Sequence, residues 1–367
     1  MDSDPGSTQK LSWLHERVFG STHGVRPSSG GGVVDREILD QFRVSSSEGV
    51  GVGNVFRKEV GSEVNAIQFS GDGKMISAAL GDGSLYVCRA SGSGSSSTDL
   101  AAAPLTAVAW TGEAKLVAGD SEGRLHWVGI KEGGAFENGG SIFLEGEKAL
   151  SLDFSPELGK IAVGGQSGRV ALIDAETKAE AAGLGERMPP GEASRIFSLR
   201  FFDSAAVSSS SPLLAWGGWG GAVQLWDVRA GRKIARIPGP SLSGDCLDVS
   251  DNLLLAGSYR DRENLEIFDL RTLSRLESLD FTGPRGQAVN YTSACRFGRG
   301  AKGERIVLAG SCIGGQVAIF KQYEKFRPEL YLEGVPKGVF SAGFGGEPGL
   351  FAVGSGDGNL SVARVTF

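Results

Sequence analysis

An all-β chain, a seven-bladed β-propeller of four-stranded antiparallel blades, is what the sequence predicts. Three observations point there. One strand-like pattern recurs seven times at a near-constant interval, most copies precede a glycine-marked hairpin signal, and 57 of the 367 residues are glycine. That share is roughly twice the usual one. Without a Gly-X-Y period it marks tight turns and not a collagen helix.

The recurring pattern is a short alternating segment that ends in an aromatic or branched residue. It runs AIQF (66–69), AVAW (107–110), SLDF (151–154), SLRF (198–201), CLDV (246–249), ACRF (294–297) and SAGF (341–344). The anchors Phe69, Trp110, Phe154, Phe201, Val249, Phe297 and Phe344 stand 41, 44, 47, 48, 48 and 47 residues apart. A fixed period in the forties is the mark of a repeat architecture.

Each anchor is followed by an apolar segment closing on small residues: MISAAL, KLVAGD, KIAVGG, LLAWGG, LLLAGS, IVLAGS and LFAVGS. Turns such as GDGS (81–84), SEGR (121–124), QSGR (166–169) and GDGN (356–359) come next. Glycine there reaches positive φ at no steric cost, which predicts hairpins. A third alternating strand completes the unit (LYVCRA, LHWVGI, VALIDA, VQLWDV, LEIFDL, QVAIFK, LSVARV), and a fourth follows several units, as in RKIARIPG, SRLESLDF and RPELYLEG.

These residues resemble the WD-repeat family over about 53–367. The naming dipeptide is present as Trp226-Asp227, with Ile173-Asp174 and Phe268-Asp269 as relaxed versions. The family's turn aspartate is kept at Asp82 and Asp357, whereas its Gly-His pair is absent, so the repeats are divergent. The resemblance implies that the ring closes by lending an N-terminal strand to the last blade. The segment VGNVFRKEV (52–60) is the candidate, because the seventh unit reaches Phe367 with no fourth strand of its own. Such closure leaves no open sheet edge.

Residues 1–52 form an N-terminal arm outside the repeats. QKLSWLHERVF (9–19) sets Leu11, Leu14 and Val18 on one helical stripe with Trp13 beside it. A Gly/Ser-rich break at 21–33 precedes DREILDQFRV, with Ile38, Leu39 and Phe42. Three readings stay open: an arm packed on its own propeller, an amphipathic segment docking on a partner through Trp13, Leu14 and Phe19, or simple disorder. The Ser/Gly stretches at 91–97 and 204–211 read as mobile loops, the second inserted between the first two strands of blade four.

Composition bounds the function. A net charge of −6 argues against a general nucleic-acid or anionic-membrane binder. No apolar run is long enough to span a membrane, and the acidic start MDSDPGSTQK is unlike a leader sequence. Cys88, Cys246, Cys295 and Cys312 are scattered, which fits buried thiols in a reducing compartment better than disulfides or zinc. Three histidines, His15, His23 and His126, make no triad, and neither a phosphate loop nor a zinc-protease helix is present. The residues before the anchors (Gln68, Ala109, Asp153, Arg200, Asp248, Arg296, Gly343) form no ring of carboxylates. Asp153 and Asp248 are candidates to pair with Arg200 and Arg296. The expectation is therefore a non-enzyme without a cofactor or metal. The alternative is a hydrolase or lyase with its site in the central channel.

Large side chains replace Asp-Gly at some turns. Blade four carries Trp219 in WGGWGGA, with Trp216 buried behind it; blade five carries Tyr259, Arg260 and Arg262 in SYRDREN. Ile313 and, ahead of blade six, Asn290 and Tyr291 complete the set. In propellers of the family these turns open on one face, and Trp, Tyr and Arg dominate binding hot spots; the other reading is that Trp219 and Tyr291 pack inward and the arginines only solvate the rim. The basic cluster Arg229, Arg232, Lys233 and Arg236 reads as a solvated hairpin or as a contact for an acidic surface. The expected function is a protein-binding scaffold or adaptor, a subunit of a hetero-oligomeric assembly in the cytoplasm. A weak local likeness of blade five to divergent WD-repeat proteins of ciliated cells raises a cytoskeletal or ciliary setting.

Overall fold

The computed structural model describes residues 43–186, 195–204, 207, 212–260, 262–281 and 291–367. All belong to the compact unit Arg36–Phe367, and residues 1–42 lie outside the described residues. The arm residues Trp13, Leu14 and Phe19 therefore lie outside them, as do Asn290 and most of DREILDQFRV.

Seven antiparallel sheets follow one another along the chain. Their first strands are Val64–Phe69, Leu105–Gly112, Ser151–Ser155, Ile196–Phe202, Leu247–Ser250, Thr292–Arg299 and Val339–Phe344. Each first strand lies beside the next, and the seventh returns to the first, so the ring is closed and these strands are innermost. Second and third strands are almost wholly apolar, as in Leu213–Gly218, and fill the space between blades. Outer strands are more exposed, as in Arg232–Pro238. Among the described residues there is no helix.

The hairpin glycines are required twice over. Gly83 and Gly123 have φ of +87° and +93°, and a Cβ on them would meet Ala101 O at 2.0 Å and Glu147 O at 2.3 Å. The connection to the following blade runs directly over each turn. The aspartates at the ends of third strands cap the next turn: Asp227 Oδ1 accepts the Ala230 N–H at 2.9 Å, and Asp174 and Asp269 accept Thr177 and Arg271 N–H at 2.8 Å each.

Closure follows the expected device. Gly51–Glu59 pairs antiparallel with Asn359–Thr366, from Gly51 opposite Thr366 to Glu59 opposite Asn359. An additional strand was not legible in the sequence. Arg43–Ser46 pairs with Phe326–Glu333 and gives blade six a fifth strand. Residues 43–59 thus stitch the outer edges of blades six and seven together. A second difference concerns the Ser-rich stretch 91–97: Ser96–Asp99 is the outer strand of blade one, paired with Ser84–Val87. An outer strand is held by its backbone ladder and needs no apolar pattern.

Blade-to-blade contacts carry a polar ring in place of the missing family network. At three or four residues before each anchor stands a side chain that bonds the next blade. Asn65 donates to Leu105 O (2.8 Å), Thr106 to Ala149 O, and Ser151 to Ile196 O (3.0 Å). Ser198 accepts Leu247 N–H (3.1 Å), and Asp245 accepts Arg296. Ser293 donates to Val339 O (2.5 Å), and Ser341 accepts Ile67 N–H (3.0 Å), which completes the circle. Ser151, Ser198, Ser293 and Ser341 are buried, Asn65, Thr106 and Asp245 half-buried, and each is satisfied across an interface.

Candidate interaction face

Antiparallel strands reverse at every turn, so the turns between second and third strands share one end of the ring with the lead-in to each first strand. Trp219, Tyr259, Arg260 and Arg262 occupy such turns in blades four and five, and Tyr291 is the lead-in of blade six. The sequence-predicted residues of the propeller therefore share a face.

Their surroundings differ. Trp219 is half-buried, its ring 5.2 Å from that of Phe197 and at 50° to it, with the Arg195 guanidinium 5.2 Å from its centroid. Burial draws Arg195 below its ordinary value. Tyr259 stacks on Tyr291 at 4.0 Å and 12°. Tyr291 is only 9% exposed, so it serves as a support and Tyr259 as the more accessible ring. Arg260 is tied to the buried carboxylate of Glu266, which also receives Arg275 at 3.1 Å. Arg262 is exposed. The arrangement is two aromatic clusters on adjoining blades, with Arg195 over one of them and Arg260 and Arg262 in the Tyr259 turn. Such groups lose little freedom when a partner docks.

Arg195 and Phe197 were not singled out by sequence reasoning, although a signal existed. Arg195 stands six residues before its anchor Phe201, the same repeat position that Tyr291 holds before Phe297.

The central channel holds a second polar cluster, and here the expected pairing is corrected. Asp153 and Asp248 do not receive Arg200 and Arg296 as hydrogen-bonding partners. Asp153 accepts the Phe201 N–H at 2.7 Å and Asp248 the Phe297 N–H at 2.8 Å. Gln68 does the same for Trp110 N–H at 2.7 Å. Both arginines instead converge on Asp245: Arg200 at 2.8 Å, Arg296 by a closer contact. The reason is position. Asp245 precedes the strand Leu247–Ser250 and bridges to Ala294, so strand alternation does not reveal it. Two guanidinium groups hold Asp245 below the usual carboxylate range against its burial, whereas burial prevails at Asp153 and Asp248 and pushes both up. The arginines also donate to Leu199 O and Cys295 O, each at 2.7 Å.

Elsewhere the chemistry is structural. His126 Nε2 lies 3.0 Å from Asp120, whose other oxygen accepts Glu122 and Arg124 N–H. Burial pushes the Cys88 and Cys246 thiols up to about 12 and Cys312 to about 11, which keeps them protonated. Among the described residues no helix is long and apolar enough to cross a membrane, and no three metal-binding side chains gather. The seven-bladed architecture is compatible with a WD-repeat fold. Compared with protein-family models and with curated proteins, the chain matches none.

Proposed function

We propose that this chain is a divergent WD-repeat protein acting as a non-catalytic scaffold or adaptor in a multiprotein assembly. The observation that carries this reading is the pair of aromatic clusters, Trp219 with Phe197 and Arg195, and Tyr259 with Tyr291, presented side by side by a rigid ring. Partner proteins would bury Trp219, Tyr259 and Arg262, with Tyr291 behind Tyr259 and Arg260 held against Glu266 as framework. The arm residues Trp13, Leu14 and Phe19 would act as a separate tether. The channel supports a structural role rather than a reacting one, since its carboxylates and guanidinium groups are engaged with one another or with backbone. A cytoskeletal or ciliary assembly in the cytoplasm is the setting proposed from the likeness of blade five.

The test is affinity purification of the tagged chain from its native cells, beside a Trp219→Ala/Tyr259→Ala/Arg262→Ala variant of matched melting temperature. Arg260 stays in place because it neutralises buried Glu266. Loss of one stoichiometric partner from the variant alone is the expected result. An unchanged partner set would refute the face, and no stoichiometric partner for the intact chain would refute the scaffold.

A further inference from the structure

Beside blade three, blade four presents a pocket of about 490 Å³ whose lining includes Trp216, Gln224, Trp226, Lys233, Arg236 and, across the gap, Glu186. Its construction follows from register. Trp216 pairs with Gln224 and Leu214 with Trp226, so these four share one sheet face. The inner half of that face, with Leu214 and Trp216, packs on Ala162, Val170, Leu172 and Leu184 of blade three. The outer part of that face, with Trp226, packs against the same cluster only in part. Trp226 is half-buried there, stacked on Trp216 at 5.1 Å and 25°.

A β-bulge supplies the charge. Gln224 pairs with Arg236, yet Trp226 pairs with Lys233, because one extra residue, Ile234, is accommodated between them. In an unbroken ladder, residues three apart would lie on opposite faces. The bulge brings Lys233 and Arg236 to the same one, both beside the indoles. Both are exposed, and neither forms an ion pair among the described residues. Arg236 makes one contact, 3.5 Å to Gly220 O. A cationic rim over an aromatic floor stands out on a chain of net charge −6. Among the described residues, no strand pairs with the outer side of Arg232–Pro238.

We propose that this pocket binds an acidic linear peptide of a partner protein, with one apolar or aromatic side chain against Trp226 and flanking carboxylates on Lys233 and Arg236. The peptide runs along the outer strand of blade four, where every second side chain turns onto the face that holds the pocket. A pocket of this volume takes a small group of side chains and not a folded surface. This inference rests on the scaffold reading and gives it a second, chemically distinct contact beside the Trp219 turn.

The probe is a fluorescein-labelled peptide of alternating glutamate and aspartate with one central phenylalanine, titrated by anisotropy into the full chain. Saturable binding is expected, weakened at least tenfold by Lys233→Glu/Arg236→Glu, by a central glycine in the peptide, and by raised salt. Gln224→Ala, which leaves both cations and both indoles, should weaken binding less than the charge reversal. Absence of saturable binding, equal binding by the charge-reversed chain, or indifference to the central residue would each overturn the proposal. So would displacement of the peptide by benzoate at similar concentration, which would make the site one for small aromatic acids. The titration is independent of the Trp219 face. A chain that keeps its partners through that face but binds no peptide loses only this inference, whereas one with no partner loses the scaffold reading.

Discussion

Arg200 of blade four places its Nη2 2.8 Å from Asp245 Oδ1 of blade five, and the same carboxylate takes Arg296 of blade six on its other oxygen. One side chain thus ties three consecutive blades at the axis. All three keep some exposure, 11% to 21%, so the cluster is deep without being dry.

Asp245→Asn should destabilise the chain by about 2–3 kcal/mol, because two inward guanidinium groups lose their shared counter-charge. Asp248→Asn should cost clearly less at pH 7, since the amide oxygen still accepts the Phe297 N–H, and losing the second oxygen from the Val249 N–H is offset as a carboxylate disfavoured by burial disappears. Urea unfolding of both variants checks the contrast, and equal losses would refute this division of roles.

Acid should act on the two aspartates with opposite sign. The carboxyl of Asp245 is lowered in the fold, so its contribution is present above about pH 4 and is lost as pH falls through the folded value. Asp120 and Asp269 are lowered too and act in the same direction. Asp248 is raised, so its ionisation opposes folding as pH rises from about 4 to its folded value. Melting temperature followed from neutral to acid pH should therefore fall less steeply toward acid in Asp245→Asn than in the wild-type chain. In Asp248→Asn it should fall more steeply.

Ser341→Ala should cost about 1–2 kcal/mol, although it removes a single hydroxyl. The Ile67 N–H then lies at the junction of blades seven and one without an acceptor. Calorimetry should show a lower melting temperature, and an unchanged one would mean that water or a shift of the strand replaces the bond.

Two glycines separate conformation from space. Gly231 has φ +61° and nothing within 4 Å of a built Cβ, so Gly231→Ala should cost about 1 kcal/mol from backbone strain alone. Gly123→Ala adds the collision with Glu147 O and should cost clearly more. Equal losses in chemical denaturation would show that the loop over Gly123 yields freely.

Much of the ring was legible because the signal lies in apolar periodicity. The anchors from Phe69 to Phe344, the alternating third strands and the spare segment near 52–60 each report a local burial pattern, which one strand carries alone. What escaped notice depends on residues far apart in sequence. The seven inter-blade bonds join positions forty or more residues apart, and serines such as Ser151 and Ser341 look like any other polar residue. Asp245 escaped because it lies just before a strand. Ser96–Asp99 and Arg43–Ser46 escaped because outer strands bury little. At the candidate face, residue types at turns pointed to Trp219 and Tyr259, whereas the depth of Tyr291 and the Arg260–Glu266 contact depend on neighbours no single-turn pattern encodes.

Arg57 meets Asp357 across 300 residues of chain. A ribosome making this protein therefore exposes the closing strand first and the edge that needs it last. Until Asn359–Thr366 emerges, Gly51–Glu59 has no native mate, and an incomplete ring carries a bare strand at each end. Completion waits for that last strand, and nascent chains crowded on one message face the hazard of lending the early strand to a neighbour's last blade instead of their own.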